Sequence, residues 1–353
     1  MESLAGDAFA PRTTYLNTAS SGLIPLRSAT ALHTAVTAAT AGGGYLDDAF
    51  AAVEDTRAHY ARLVGLPERR VAAGGSVAVY AGLIAGSLPS GAEVLVADGD
   101  FSSLVNPFTV RADLAVRTVP LERMAEEIRP ATHLVAVSAV QSADGRIADL
   151  AAIAEAARAR GARTLIDTSQ SNGWLPLRAA DYDFTVCVGF KWLLCPRGVA
   201  FLTVPEDLGE LPPVFAGWVA GEVPLDSCYG PVTELAHSAR RYDESPAVLA
   251  YLAARHALAL LGELGPEAIG AHDRALADRF RAGVTELGHH PVPAPGSAIV
   301  AVPGLGKAAA ALAEQEVYVS NRAGNLRAAF HLYNSAQDVD RLLKGIAALP
   351  YRG

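Results

Sequence analysis

Asp183-Phe-Thr-Val-Cys-Val-Gly-Phe-Lys191-Trp-Leu-Leu-Cys-Pro-Arg-Gly198 is the stretch that decides the fold, because its apolar first half is typical of a buried strand and ends on a lysine. Lys191 is one of only three lysines, with Lys307 and Lys344, in a chain that holds 29 Lys and Arg residues. Burial lowers the pKa of an amine, and a neutral amine can form a Schiff base with a carbonyl, which arginine cannot do. The alternative is a structural lysine whose charge reaches water from the strand end. This stretch alone leaves both readings open.

A second predicted strand, Ala162-Arg-Thr-Leu-Ile-Asp167, ends on the carboxylate of Asp167, which Lys191 follows by 24 residues. That spacing fits two neighbouring strands with one connection, and open α/β sheets bind ligands at the carboxyl ends of their strands. A lysine that holds a carbonyl cofactor and a carboxylate that faces a pyridinium nitrogen are the protein's part of pyridoxal 5'-phosphate (PLP) chemistry. The pair therefore predicts a PLP site with Lys191 and Asp167 as its catalytic residues.

Asp167-Thr-Ser-Gln170, followed by residues 183–198, resembles the aminotransferase class V and cysteine desulfurase-like branch of the fold-type I PLP-dependent enzymes. The resemblance extends from about residue 15 to the C-terminus. It implies an α/β fold, with a mostly parallel sheet in a large PLP-binding domain, residues 15–265, and a small C-terminal α/β domain, residues 266–353. It also implies PLP as the cofactor, an α-amino acid as the substrate and a homodimer with shared active sites.

Composition argues against several other classes of protein. The hydrophobic content of 51% is ample for a large core, and the net charge of -8 without a Lys/Arg run argues against a nucleic-acid partner. No apolar run approaches the roughly 18 residues of a spanning helix, and the N-terminus lacks a signal-peptide pattern, so we expect a cytoplasmic protein without a membrane partner. Cys187, Cys195 and Cys228 form no Cys-x-x-Cys pattern, and we expect neither a disulfide nor a metal site.

The order of the apolar patterns predicts strands that alternate with helices. Residues 26–64 have a helical pattern that is broken at 42–45, and two further helices are expected, one ending near residue 265 and one at residues 266–287. Between them the pattern predicts strands at 93–97, 115–120, 133–140, 162–167, 183–190 and 199–204, and helices at 121–129 and 147–160. Such alternation implies right-handed crossovers and a sheet that is covered on both faces.

The phosphate of PLP is predicted to lie where Gly-Gly75-Ser76-Val77 opens an apolar helix, ahead of the first predicted strand of the sheet. Backbone N–H groups at a helix start, aided by the helix dipole, bind a phosphate dianion. The alternative for Ser76 is an ordinary N-cap. The resemblance adds Ser245, which would reach the phosphate of the partner subunit, although Ser245-Pro246 is also a good helix start.

The remaining cofactor contacts are implied by the resemblance. Phe101 would stack on the pyridine ring, where desulfurases have a histidine and kynureninases a phenylalanine, unless it packs into the core. Gln170 would bond the ring oxygen, and Ser142 stands where many relatives have an asparagine for that contact. Asp167 would keep the ring nitrogen protonated, and Lys191 would be the catalytic base.

Substrate binding is predicted mainly from Arg327, which begins an alternating strand in Arg327-Ala-Ala-Phe-His-Leu-Tyr-Asn. Its guanidinium fork suits the α-carboxylate of an amino acid, against the alternative of a surface arginine on an edge strand. Arg322, in the same segment, is a second candidate. By resemblance Asn17 and Ala19 would lie near the substrate carboxylate, and Tyr45 would be supplied by the neighbouring subunit. A capped loop explains residues 17–18 equally well.

Two departures from the family pattern bear on the chemistry. Val188-Gly-Phe190-Lys191 stands where many relatives have Ser-x-His-Lys, so a serine contact to the phosphate is lost. Residues 320–326 contain no cysteine, which excludes persulfide transfer from that loop.

The reaction is predicted from the aromatic residues Tyr45, Phe101, Phe190 and Trp218, which suit one bulky amino acid. The C-terminal segment also resembles actinobacterial class V relatives, some of which handle S-substituted cysteines in secondary metabolism. We therefore expect a C–S β-lyase. The alternatives are a class V aminotransferase, a decarboxylating oxidative deaminase of a cysteine S-conjugate, and a non-catalytic sensor or partner subunit.

Overall fold

Short, buried, apolar segments form most of the strands in a computed structural model that describes residues 1–349. Strands that are covered on both faces are apolar throughout rather than alternating. In chain order the strands are β1 Thr14–Tyr15, β2 Val71–Gly74, β3 Glu93–Ala97, β4 Ala115–Val119, β5 Thr132–Ser138, β6 Arg163–Asp167, β7 Phe184–Val188, β8 Ala200–Thr203, β9 Ile299–Val302, β10 Val317–Tyr318, β11 Ser320–Arg322 and β12 Asn325–Ala329.

The helices alternate with these strands in the first two thirds of the chain. They are α1 Leu26–Thr40, α2 Leu46–Val64, α3 Val77–Ser87, α4 Ser102–Thr109, α5 Leu150–Arg160, α6 Val248–Leu264, α7 Pro266–Glu286, α8 Ala308–Ala313 and α9 Ala336–Ala347. Their ends follow local chemistry. The Asp149 side chain caps the start of α5, and Gly161 ends it with a φ of 70°.

The central sheet has seven strands in the order β2-β8-β7-β6-β5-β3-β4. β4, β3, β5, β6 and β7 run parallel to one another, and β8 is antiparallel to both of its neighbours. Successive residues of β2 point to opposite faces: Val71 and Ala73 pack in a cluster with Tyr60, whereas Ala72 packs with Ile84. The predicted α/β fold with a mostly parallel sheet, covered on both faces, is confirmed.

Two small sheets complete the fold. β1 pairs with β10 in parallel, and the antiparallel order β11-β12-β9 forms the other sheet. α7 and α9 pack their apolar faces on this part, so that Phe280 and Val339 share a cluster with Leu326. The domain boundary predicted between residues 265 and 266 falls between α6 and α7, and the division itself stays a prediction.

Three details differ from the sequence prediction. Residues 121–129 form a single 3-10 turn, Leu121–Arg123, instead of an α-helix, because Pro120 and Pro130 bracket a segment too short to propagate one. The phosphate-binding stretch follows a strand of the sheet, β2, instead of preceding the first one. Arg327 is the third residue of β12, which is buried rather than alternating over its last four residues.

No individual helix within residues 1–349 has both the length and the apolar composition needed to cross a membrane. α6 and α7 meet that requirement only as a pair, with a bend of 83° between them.

Candidate active site

Asp167 and Lys191 meet at one edge of the central sheet, as the strand spacing predicts. Asp167 is the last residue of β6, and Lys191 follows the end of the neighbouring parallel strand β7. A cavity of about 380 Å³ opens at this edge. Its lining residues are Ala19, Ser20, Ser76, Val77, Phe101, Ser103, Ser142, Asp167, Ser169, Val188, Phe190, Lys191, Arg197, Arg322 and Arg327.

Lys191 is buried, with only 6% of its surface exposed. Its Nζ lies 5.0 Å from the centre of the Phe101 ring and 5.9 Å from that of Phe190, and no acceptor among residues 1–349 takes a hydrogen bond from it. Burial lowers the pKa of Lys191; the nearby Asp167 opposes this shift and Arg327 adds to it. The amine is therefore uncommitted and easier to deprotonate than an ordinary lysine.

Asp167 is held in a tight turn at the strand end. The backbone N–H of Ser169 donates to Asp167 Oδ1 at 2.8 Å, and the Ser169 hydroxyl accepts from the N–H of Val188 at 3.1 Å. Burial raises the pKa of Asp167, whereas the positive charge of Lys191 acts in the opposite direction. Asp167 also lines the cavity, where its carboxylate can accept a hydrogen bond from a ligand.

The start of α3 borders the same cavity. Ser76 caps the helix by accepting from the N–H of Val79 at 3.4 Å, and Ser76 and Val77 both line the cavity. Gly75 is not in the lining, and its N–H donates to Glu244 Oε1 at 2.6 Å. Two of the three predicted phosphate-binding residues are thus brought to the cavity, and an acidic side chain holds the third.

Phe101 projects from the loop between β3 and α4 and is 44% exposed. Asp100 fixes this loop: its carboxylate accepts from the N–H of Phe101 at 2.6 Å and from that of Ser138 at 2.8 Å. The phenylalanine ring therefore faces the cavity and is not packed into the core, which is the position that a ring-stacking role needs.

Gln170 lies behind the cavity wall. Its Nε2 donates to the carbonyl of Ala19 at 2.9 Å and to the hydroxyl of Ser142 at 3.0 Å, and its Oε1 accepts from Trp192 Nε1 at 2.8 Å. Both amide hydrogens are thus committed to protein groups. Ser142 and Ala19 line the cavity themselves, and the contact of Gln170 with a cofactor oxygen stays a prediction.

Arg327 is 1% exposed and reaches the cavity from β12. Its Nη2 donates to the hydroxyl of Ser20 at 2.7 Å, its Nη1 to that of Ser142 at 3.1 Å and its Nε to that of Ser320 at 3.2 Å. Within residues 1–349 no carboxylate pairs with it. Burial and the neighbouring charge of Arg322 lower the pKa of Arg327, so the guanidinium gains from an anionic ligand.

Arg322 lies at the exposed end of the hairpin formed by β11 and β12. The two turn residues, Ala323 and Gly324, have φ values of 49° and 81°, which match the tight two-residue turns that join twisted strands. Arg322 Nη2 donates to the Ser20 hydroxyl at 3.1 Å. Ser20 therefore accepts hydrogen bonds from both arginines.

Besides Gly75 and Gln170, three predicted residues do not line the cavity. Asn17 lies two residues before Ala19, which lines the cavity. The buried Oδ1 of Asn17 has no hydrogen-bond partner among the described residues. Tyr45 packs beside Ala49 at the start of α2, and Ser245 is exposed before α6. Tyr45 and Ser245 were predicted to act across a subunit boundary, and that role stays a prediction.

The predicted aromatic substrate pocket is only partly present in one chain. Phe101 and Phe190 line the cavity, whereas Trp218 packs edge-on against Phe50 with 5.4 Å between ring centres. Tyr45 lies apart from the lining as well. The separation arises because Trp218 is carried by the long connection that follows β8, which packs on α2.

Several site residues were missed by the sequence prediction. Ser20, Ser103, Ser169 and Arg197 line the cavity, and Arg197 Cζ lies 4.0 Å from the centre of the Phe190 ring. Arg197 could have been suspected, because it lies six residues after Lys191 in the same stretch. Ser20 carries no such signal, since it sits in a loop rich in other small polar residues, and Ser103 lies in the first turn of α4. Ser169 could also have been suspected, because it lies between Asp167 and Gln170.

A buried pair supports the peptide that carries Lys191. His331 Nδ1 lies 2.9 Å from Asp273 Oδ2, and His331 Nε2 donates to the carbonyl of Trp192 at 3.0 Å. Burial raises the pKa of Asp273, and the charge of His331 opposes that shift. Two residues beyond the central sheet thus hold the residue next to Lys191 in place.

The cysteines take no part in the cavity. Cys187 and Cys195 are buried, and burial raises the pKa of both thiols, that of Cys187 to about 12. Cys228 is exposed and lies outside the lining. A nucleophilic thiolate is therefore not available among the residues that line this cavity.

Comparisons with known proteins agree with the fold. A sequence model described as Aminotransferase class-V matches residues 47–342. The uncharacterized aminotransferase YcbU of Bacillus subtilis is 28% identical over 319 residues, with 85% of each chain covered. Isopenicillin N epimerase of Streptomyces clavuligerus is 31% identical, with 77% of this chain and 74% of the epimerase covered. A solved structure of the cystine C-S lyase C-DES with its product cysteine persulfide has a TM-score of 0.85 and 23% identity, and covers 96% of this chain and 98% of that one.

Proposed function

Because this chain belongs to the aminotransferase class V family, whose cofactor is PLP, we propose that it is a C–S β-lyase acting on an S-substituted cysteine. The reaction would convert the amino acid and water into a free thiol, pyruvate and ammonium. The observation that carries the proposal is the cavity lining, in which Lys191 is available as a base and no thiol is present to capture sulfur. The sulfur would therefore leave as a product and would not stay on the enzyme.

The residues of the cavity fit PLP. Asp167 presents a buried carboxylate at a strand end, Lys191 has an amine without a hydrogen-bond acceptor among residues 1–349, and Phe101 offers an aromatic face 5.0 Å from that amine. Ser76 and Val77 add the start of a helix, which suits a phosphate. When bound, PLP supplies an electron-withdrawing ring system that stabilises negative charge at the substrate Cα.

The roles of the chain's own residues follow from their surroundings. Arg327 would bind the α-carboxylate, because it is a buried guanidinium whose partners among residues 1–349 are all neutral, three serine hydroxyls and the carbonyl of Ser142. Lys191 Nζ would take the proton from Cα, since burial lowers its pKa and so makes the neutral amine more accessible than that of an ordinary lysine. Asp167 would hold a proton on the ring nitrogen, and Phe101 would keep the ring oriented.

The product test separates the lyase from its alternatives. The holoenzyme is incubated with a panel of cysteine S-conjugates and the mixture is analysed by mass spectrometry. We expect stoichiometric pyruvate and free thiol. Pyridoxamine phosphate formed without thiol would indicate an aminotransferase, as the name of the Bacillus relative suggests, and loss of carbon dioxide would indicate a decarboxylating deaminase. The lyase proposal is wrong if no conjugate reacts while a simple amino acid and a keto acid exchange their amino groups. Binding of PLP without any turnover would favour a sensor or partner subunit.

We further propose a homodimer in which the partner subunit completes the site. Tyr45 and Ser245 lie outside the cavity of their own chain, which leaves them free to reach another. The connection after β8 exposes large apolar side chains, with Leu225 79% and Tyr229 94% exposed, as expected of an interface. Sedimentation of the holoenzyme at low micromolar concentration should give twice the chain mass. A fully active monomer would contradict the dimer. A cytoplasmic location also stays a prediction.

A further inference from the structure

The cavity holds more positive charge than the cofactor and an α-carboxylate require. Four lining side chains are basic, Lys191, Arg197, Arg322 and Arg327, against the single carboxylate of Asp167. Under the proposed function Lys191 holds the cofactor and Arg327 binds the α-carboxylate of the substrate. Arg197 and Arg322 then remain. Arg197 lies over the Phe190 ring, with 4.0 Å between its Cζ and the ring centre, whereas Arg322 has only the hydroxyl of Ser20 and the carbonyl of Asn321 as hydrogen-bond partners among residues 1–349.

Arg322 is held in place toward the reaction centre. The tight turn at Ala323 and Gly324 fixes the end of β11, and Arg322 Nη1 donates to the carbonyl of Asn321 at 2.9 Å. Its Nη2 shares the Ser20 hydroxyl with Arg327, at 3.1 Å and 2.7 Å respectively. One neutral oxygen thus lies between two guanidinium groups, and it cannot neutralise either of them.

We propose that Arg322 and Ser20 form a subsite for a second anionic group, so that the substrate is an α-amino acid whose side chain ends in a carboxylate or a similar oxyanion. This rests on the proposed function in one respect only, the assignment of the α-carboxylate to Arg327. An anion placed beside Ser20 relieves the repulsion between the two guanidinium groups and accepts the charge-assisted hydrogen bonds that Arg322 can donate. The subsite lies at the exposed end of the hairpin formed by β11 and β12.

The test compares ligands that differ only in charge. S-(carboxymethyl)-L-cysteine and S-(carbamoylmethyl)-L-cysteine have the same shape, as do L-glutamate and L-glutamine. Titrating each into the holoenzyme and following the cofactor absorbance gives a dissociation constant that does not depend on C–S cleavage. We expect each anionic ligand to bind at least about tenfold more tightly than its neutral partner. The preference should weaken at high salt.

The variant Arg322→Gln should lower the affinity for the anionic member at least about tenfold more than that for the neutral member, which brings their ratio near one. Arg341→Gln, an exposed arginine on α9, is the matched control and should keep the wild-type ratio. Equal affinities in the wild-type enzyme, or an equal loss of both ligands in Arg322→Gln, would overturn the subsite. If only the C–S lyase proposal is wrong, no thiol is released, but the anionic ligands still bind more tightly than the neutral ones.

Discussion

Lys191→Ala is expected to remove the visible absorbance of the lysine-linked cofactor and to lower turnover by about 10³-fold or more. The side chain is buried and has no hydrogen-bond acceptor among the described residues, so we expect no loss of folding stability in the cofactor-free protein. Removal of the buried ammonium avoids its desolvation cost but leaves the buried Asp167 carboxylate without the opposing charge, and these two effects should largely cancel in the melting temperature. Absorbance, borohydride trapping followed by peptide mass spectrometry, and a thermal melt measure the three effects.

The matched controls for this variant are the other lysines of the chain. Lys344→Ala and Lys307→Ala remove exposed amines, on α9 and just before α8, far in the fold from the sheet edge. Both should keep the absorbance and the rate of the wild type. If Lys191→Ala keeps its colour after reduction with borohydride, another amine holds the cofactor and the assignment of Lys191 is wrong.

The meeting of Asp167 and Lys191 could be predicted because it depends on neighbouring strands. Asp167 ends one short, mostly buried strand and Lys191 closely follows another, and the two strands are consecutive in the chain and adjacent in the sheet. The local sequence pattern and the sheet topology therefore agree. Asp167 and Lys191 meet at the carboxyl edge of the sheet because their two strands are parallel. The same argument placed Ser76 at the start of an apolar helix.

The convergence of hydroxyl groups on Arg327 could not be predicted in this way. Ser20 and Arg327 are 307 residues apart in sequence, and Ser142 and Arg327 are 185 apart. Those contacts depend on how β12 packs against the N-terminal segment, where the backbone N–H of Ala329 donates to the carbonyl of Leu16 at 2.9 Å. Neither the hydrophobic periodicity of the sequence nor the spacing of its residues predicts such packing.

The committed amide of Gln170 shows a related limit. A glutamine after a strand end suggests a ligand contact, but three protein groups, among them the indole of Trp192, take its hydrogen bonds. Because buried amides satisfy their hydrogen bonds wherever partners lie, their direction follows the tertiary structure and not the local sequence. Ser142, which shares a hydrogen bond with Gln170, faces the cavity in its place.

Arg327→Lys is the second change for which we expect a large effect, because it keeps the positive charge and removes the planar guanidinium group. Arginine can bind a carboxylate through two parallel hydrogen bonds, which the ammonium of lysine cannot match. Loss of one charge-assisted hydrogen bond costs about 1.5–3 kcal/mol, so kcat/KM should fall about 10- to 150-fold. The loss should appear mainly in KM if the contact is equally strong in the ground state and the transition state.

A substrate without the α-carboxylate separates this role from a structural one. The wild-type enzyme should bind the corresponding amine at least about tenfold more weakly than the amino acid, since the amine leaves Arg327 buried without a counter-ion. Arg327→Lys should lower the affinity for the amino acid and have much less effect on the affinity for the amine. The amine lacks the α-carboxylate that the guanidinium would bind, so the substitution removes an interaction that the amine never makes. Arg341→Lys, on the exposed face of α9, controls for the substitution itself. If Arg327→Lys weakens both ligands equally, Arg327 supports the cavity wall through Ser20, Ser142 and Ser320 and does not bind the α-carboxylate.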